Sequence, residues 1–147
     1  MEDKLLHILL VEDDSVDVMN VQRAFKKNSI NNPLHVAFNG VEALNMLRGT
    51  NGKPKLNPVP GVILCDINMP KMNGIEFLKE LRNDEALKSC SVFIMTTSND
   101  EQDKFEAYKL NVAGYVLKPL SFEKFVSAVS ILNNYWKLCE HPELVAS

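Results

Sequence analysis

Short apolar runs alternate strictly with longer amphipathic stretches along this chain, and that alternation limits the fold more than any other feature. His7–Val11 (HILLV) is too short for a helix and rich in branched residues, so it reads as a buried strand. Leu34–Phe38 is a second, weaker strand, and Val62–Cys65 (VILC), Val92–Met95 (VFIM) and Gly114–Leu117 (GYVL) complete a set of five. Between them lie helical patterns. Asp14 or Ser15 caps the first, which runs to about Asn28 with Val18, Val21 and Phe25 on its inner face. The others span about 41–48, Gly74 to Asn83 (Ile75, Leu78 and Leu81 inward), 100–110, and a last helix capped by Ser121. That last helix places Phe122, Phe125, Val126, Val129 and Leu132 at helical spacing. Residues 49–61 hold three prolines and three glycines and read as a long loop.

Five strands and five helices in alternation predict an α/β fold with helices on both faces of a parallel sheet. Right-handed crossovers then give a flavodoxin-like, doubly wound five-stranded sheet in the order 2-1-3-4-5. At 147 residues, 46% of them apolar, the chain suits one domain with its own core. A net charge of −3 without a basic stripe argues against nucleic acid, and no apolar run reaches the ~20 residues of a membrane span. The acidic opening residues do not read as a signal peptide. Cys65, Cys90 and Cys139 are odd in number and lack Cys-x-x-Cys spacing, so free thiols in a reducing, cytoplasmic setting are expected.

In open α/β sheets ligands gather at the carboxyl ends of the strands. Here the first strand is followed by Glu12, Asp13 and Asp14, the third by Asp66 and Asn68, the fourth by Thr96 and the fifth by Lys118. Several carboxylates on one rim repel each other unless a cation sits among them. Oxygen ligands without His or Cys suggest Mg2+. A carboxylate nucleophile, a metal, a lysine and a hydroxyl are the parts of phosphoryl transfer to Asp66.

These residues stand within LLVEDD (9–14), ILCDINMPKMNG (63–74), IMTTS (94–98) and GYVLKP (114–119). In those motifs, in their order and in the spacing 66, 96, 118, the chain resembles a receiver domain of the two-component response regulators, over roughly residues 7–136. The resemblance implies that Asp66 is the phosphoacceptor, fed by a sensor histidine kinase or phosphotransfer protein. It implies Asp13 as a Mg2+ ligand, Glu12 acting through water, and Asn68 lending its backbone carbonyl. Thr96 becomes the switch hydroxyl, Tyr115 the switch aromatic and Lys118 the partner of the phosphoryl group, aimed by a cis bond to Pro119. Slow self-dephosphorylation is implied, and no other enzymatic activity.

The long 49–61 loop and the tail after Trp136 resemble single-domain regulators paired with bacterial phytochrome-type kinases. The expected organisation is therefore a receiver domain over 1–136 and a short tail over 137–147, without an output domain. The signal must then leave through a protein surface. A homodimer through the 100–136 face is one expectation, with Tyr135 and Trp136 adding apolar area and Phe105 or Tyr108 more exposed than core residues should be. Thr97 stands where the family usually carries a smaller side chain.

Three other functions fit less well. A haloacid-dehalogenase-type phosphohydrolase needs an acid where Asn68 stands. A flavodoxin-like electron carrier needs a hydroxyl- and Gly-rich loop where three acids stand. A receiver-like module that binds partners without phosphorylation would not need the full acid and lysine set. His7, His35 and His141 read as isolated.

Overall fold

The structure is a computed structural model that describes residues 6–140. Its elements are β1 (Ile8–Val11), α1 (Ser15–Lys27), β2 (Leu34–Ala37), α2 (Gly40–Arg48), β3 (Val62–Cys65), α3 (Gly74–Arg82), β4 (Ser91–Thr96), α4 (Glu101–Lys109), β5 (Gly114–Leu117) and α5 (Phe122–Leu138). The five strands are parallel and ordered β2-β1-β3-β4-β5, as the alternation requires.

Successive residues of a strand face opposite sides, so the sheet feeds two cores. Leu9, Val11, Ile63, Cys65, Val92 and Ile94 pack with the inner faces of α2 and α3. Ile8, Leu10, Val62, Leu64, Phe93 and Met95 pack with α1 and α5. The central strands β1 and β3 are buried throughout, which is why they read as unbroken apolar runs. Side-chain caps set the helix starts. Asp14 accepts from the backbone N–H groups of Val16 and Asp17, Asn39 from Glu42, Asp100 from Gln102 and Asp103, and Ser121 from Lys124. Asn73 and Glu76 form a reciprocal capping box at α3.

Several details depart from the sequence reading. On α3, Phe77 takes the central buried position with Leu78 and Leu81, while Ile75 sits half-buried at the flank. Helix α5 continues to Leu138. Trp136 does not add to an outer face. It is 2% exposed, because it continues the inward stripe of Leu132 and Asn133 and packs against Phe25 and Phe93. The cis peptide among the described residues is Asn57–Pro58, and Lys118–Pro119 is not cis. His7 and His35 are not isolated, since Nδ1 of His7 lies 3.0 Å from Nε2 of His35. His141 and the end of the expected 137–147 tail lie outside the described residues.

The 49–61 loop is anchored rather than loose. Leu56 N–H donates to Met46 O (2.9 Å), and Leu56 and Val59 pack on the α2–α3 core. Arg82 closes the same side of the molecule. Its guanidinium donates to the carbonyls of Leu110, Lys88, Cys90 and Asn111 at 2.7–3.0 Å, joining α3 to the α3–β4 and α4–β5 connections.

Candidate functional site

The parallel register carries the ends of β1, β3, β4 and β5 to one edge of the sheet. Val11 pairs with Cys65 and Thr96 with Leu117, so the next residues, Glu12, Asp66 and Lys118, emerge side by side. The backbone fixes each of them. Glu12 N–H donates to Ala37 O (2.9 Å), Asp66 N–H to Val11 O (3.0 Å) and Lys118 N–H to Thr96 O (2.8 Å). The lysine is thus aimed at the site by its ladder bond and its carboxylate partners, without the expected cis proline.

Glu12 and Asp66 are buried and Asp13 is exposed, yet each offers a carboxylate oxygen within 4.8 Å of the others. Asp66 Oδ1 accepts from Ile67 N–H (2.7 Å), while Oδ2 faces the Lys118 ammonium at 3.4 Å. Three hard oxygen donors converging at the mouth of a buried acid pair suit a divalent cation that takes carboxylates and keeps water. The residues present therefore fit a metal of that class. Asn68 is exposed on the β3–α3 loop, next to buried Ile67 and Met69.

Lys118 is the cation already built into the cluster. Its Nζ lies 2.5 Å from Glu12 Oε1, 2.9 Å from Asp17 Oδ2 and 3.4 Å from Asp66 Oδ2. Burial works against its charge, but the hydrogen bond and charge of Glu12, with Asp66 and Asp17, hold it above the ordinary lysine value. Burial also pushes Glu12 from 4.5 up to about 7, against the pull of Lys118 and with help from the charge of Asp66. Of the two effects, the lysine's charge is the firmer. Three carboxylates share it, whereas the rise of Glu12 rests on a burial that a bound cation would offset.

Thr96 is fully buried at the end of β4, and its Oγ1 accepts from Ser98 N–H (3.2 Å). Tyr115 OH donates to Ser98 O (2.9 Å). The two residues expected to switch are therefore joined through one residue of the β4–α4 loop. Ser98 Oγ in turn donates to Asp103 Oδ2 (2.6 Å) on α4. Thr97 is exposed beside them. Asp14 acts as the α1 cap and not as a ligand.

The sequence reading missed Asp17. Its place in the first turn of α1, three residues after the Asp14 cap and on the helix that begins at the acidic strand end, was the available signal.

Comparison with known proteins matches this arrangement. The family described as "Response regulator receiver domain" matches residues 8–130. The response regulator Rcp1 of Synechocystis sp. is 33% identical over 129 residues, 88% of this chain and 87% of that protein. The crystal structure of the phosphorylated cyanobacterial phytochrome response regulator RcpA superposes with a TM-score of 0.87 at 30% identity, covering 95% of this chain and 100% of that one. The Mn2+-bound form of Rcp1 gives 0.82 at 30% identity, covering 94% and 99%. With its sheet order, its acid cluster around one lysine and a family match over most of its length, the chain belongs to the response regulator receiver domains.

Proposed function

We propose that the protein is a single-domain response regulator that takes a phosphoryl group onto Asp66 from the phosphohistidine of a sensor histidine kinase or phosphotransfer protein. The observation that carries this reading is the convergence of Glu12, Asp13 and Asp66 around one mouth, with Lys118 already in contact with the acceptor. The reading also draws on the phosphorylated state of RcpA and the metal-bound state of Rcp1.

In this mechanism a carboxylate oxygen of Asp66 attacks phosphorus. The P–N bond breaks, its electron pair returns to the imidazole nitrogen, and an acyl phosphate remains. Asp13, Asp66, the Asn68 backbone carbonyl and Glu12 through water would hold Mg2+, which would supply positive charge for the phosphoryl oxygens. Lys118 gives a donor to one phosphoryl oxygen and Thr96 gives its hydroxyl to another. Water slowly hydrolyses the acyl phosphate.

Movement of Thr96 toward the phosphoryl group withdraws its oxygen from Ser98, to which Tyr115 is also bonded. The β4–α4 loop then repacks, and the output leaves through α4, β5 and α5. That face exposes Phe105 (63%), Tyr108 (54%) and Tyr135 (52%), apolar area suited to a partner protein or a second copy. Phosphorylation biases this face between two states.

Phosphotransfer from labelled histidine kinases tests the proposal. Wild type is expected to take up label, and Asp66→Asn to take up none. Label retained on Asp66→Asn would overturn it. Sedimentation with and without beryllofluoride separates the homodimer from docking of another protein.

A further inference from the structure

The receiver signature accounts for Glu12, Asp13, Asp66, Thr96 and Lys118, but not for Asp17. This acid lies on the first turn of α1, where a carboxylate commonly does no more than complement the helix dipole. Here it does something further. Asp17 Oδ2 reaches across to Lys118 Nζ at 2.9 Å, a contact between residues 101 apart in sequence, and shorter than the lysine's 3.4 Å contact with Asp66.

An ammonium has three N–H donors and a flexible four-carbon stem. In this site each donor faces a different carboxylate: Glu12, Asp17 and Asp66. With two held by Glu12 and Asp17, the third is left for Asp66 Oδ2. Once that oxygen carries a phosphoryl group, the same donor meets a phosphoryl oxygen without a search. Glu12 is buried beneath the lysine at 3% side-chain exposure, whereas Asp17 lies on the solvent side at 35%. Asp17 therefore blocks the direction in which the lysine would otherwise swing out. Its own place is rigid, because Asp14 accepts from its backbone N–H and α1 packs on α5 through Val18, Val21 and Phe125.

We infer that Asp17 is a positioning residue for phosphoryl binding: its carboxylate oxygen holds Lys118 so that one ammonium donor stays aimed at the acceptor. This rests on the phosphoacceptor reading of Asp66. It gives a definite ordering of variants, since what matters is an acceptor oxygen at this position and not its charge. Asp17→Asn keeps the oxygen and loses the negative charge that repels a phosphoryl group. Asp17→Ala loses both.

Calorimetric titration with beryllofluoride in Mg2+ reads the effect without a kinase. Asp17→Ala is expected to bind about tenfold more weakly than wild type, the factor for roughly 1.4 kcal/mol. Asp17→Asn is expected to bind as tightly as wild type or tighter. In a Lys118→Met background, Asp17→Ala is expected to cause no further loss, and at most a gain from the removed repulsion, because the partner it positions is gone. A purely structural role would weaken binding in both backgrounds. Thermal melts in the absence of metal establish that each variant is folded. Asp17→Ser, compatible with a helix start but too short to reach Lys118, replaces the Ala variant if that one does not fold. Wild type that fails to bind beryllofluoride overturns the phosphoacceptor reading and this inference with it. Wild-type binding that Asp66→Asn abolishes, with Asp17→Ala as tight as wild type, overturns the inference alone. Equal losses in the Asn and Ala variants, or a loss that persists in the Lys118→Met background, do the same.

Discussion

Gly74 opens α3 directly behind the acceptor, where its N–H donates to Ile67 O at 2.8 Å. A Cβ at this position would lie 2.2 Å from the Asp66 carbonyl oxygen and 3.0 Å from Ile67 Cα. Both are backbone atoms of the segment that holds the acceptor, so neither can yield without moving Asp66. Gly40 offers the contrast. Its added Cβ would meet Met72 Cγ at 2.8 Å, and a methionine side chain can swing away. Gly74→Ala is therefore expected to cost about 2–3 kcal/mol in urea unfolding and to lower phosphoryl uptake. Gly40→Ala should cost well under half as much. Equal costs at the two positions would refute the argument from backbone contact.

The pairing of strands, more than any single residue, explains which parts of the molecule were legible in the sequence. Strands β1 and β3 were plain because both their faces are buried and their runs carry no polar break. Glu12 and Asp66 were plain because each directly follows such a run, and Lys118 because it follows the half-buried strand β5. Contacts that depend on side chains meeting across elements were not. Asp17 touches Lys118 only once α1 leans on α5, and Trp136 turns inward only once α5 meets Phe25 and Phe93. His7 and His35 meet because β1 and β2 are parallel in a register that pairs Leu9 with His35. Their rings lie 19° from parallel with centroids 5.2 Å apart, and Nδ1 of His7 stands within hydrogen-bond distance of Nε2 of His35. Burial and the neighbouring charge of His7 lower the His35 pKa below 6.5. A histidine whose folded value is depressed binds more protons when unfolded. Its contribution is complete above the unfolded value of about 6.5 and is lost as pH falls from there toward the folded value. Glu12, raised to about 7 from 4.5, has the opposite slope, with stability declining as pH rises through that interval. The histidine effect is therefore read by difference. His35→Gln is expected to lose less urea stability than wild type between pH 7.5 and pH 5.5, and parallel losses would refute it.

At the scale of the whole molecule, two apolar cores carry the stability and one sheet edge carries the charge. Repulsion among Glu12, Asp17 and Asp66 is offset by the Lys118 ammonium in contact with all three. A divalent cation that binds this edge only when the chain is folded stabilises the whole fold by mass action. At a hundredfold excess over its dissociation constant, Mg2+ should add about 2.7 kcal/mol, or roughly 5–10 °C in Tm for a chain of this size. Asp13→Asn is expected to remove most of that shift while leaving the metal-free Tm within a few degrees. An undiminished shift in Asp13→Asn would show that the metal binds elsewhere.

Trp136 is the chain's single tryptophan, buried between Phe25 and Phe93 at the end of the sheet away from the acids. Its indole N–H is occupied by Asn133 Oδ1 (2.9 Å). The protein thereby carries a built-in optical probe of its core. Its emission should be blue in the native state and shift red as α5 peels from the sheet. Light emitted from this one ring reports the moment the last helix leaves its core.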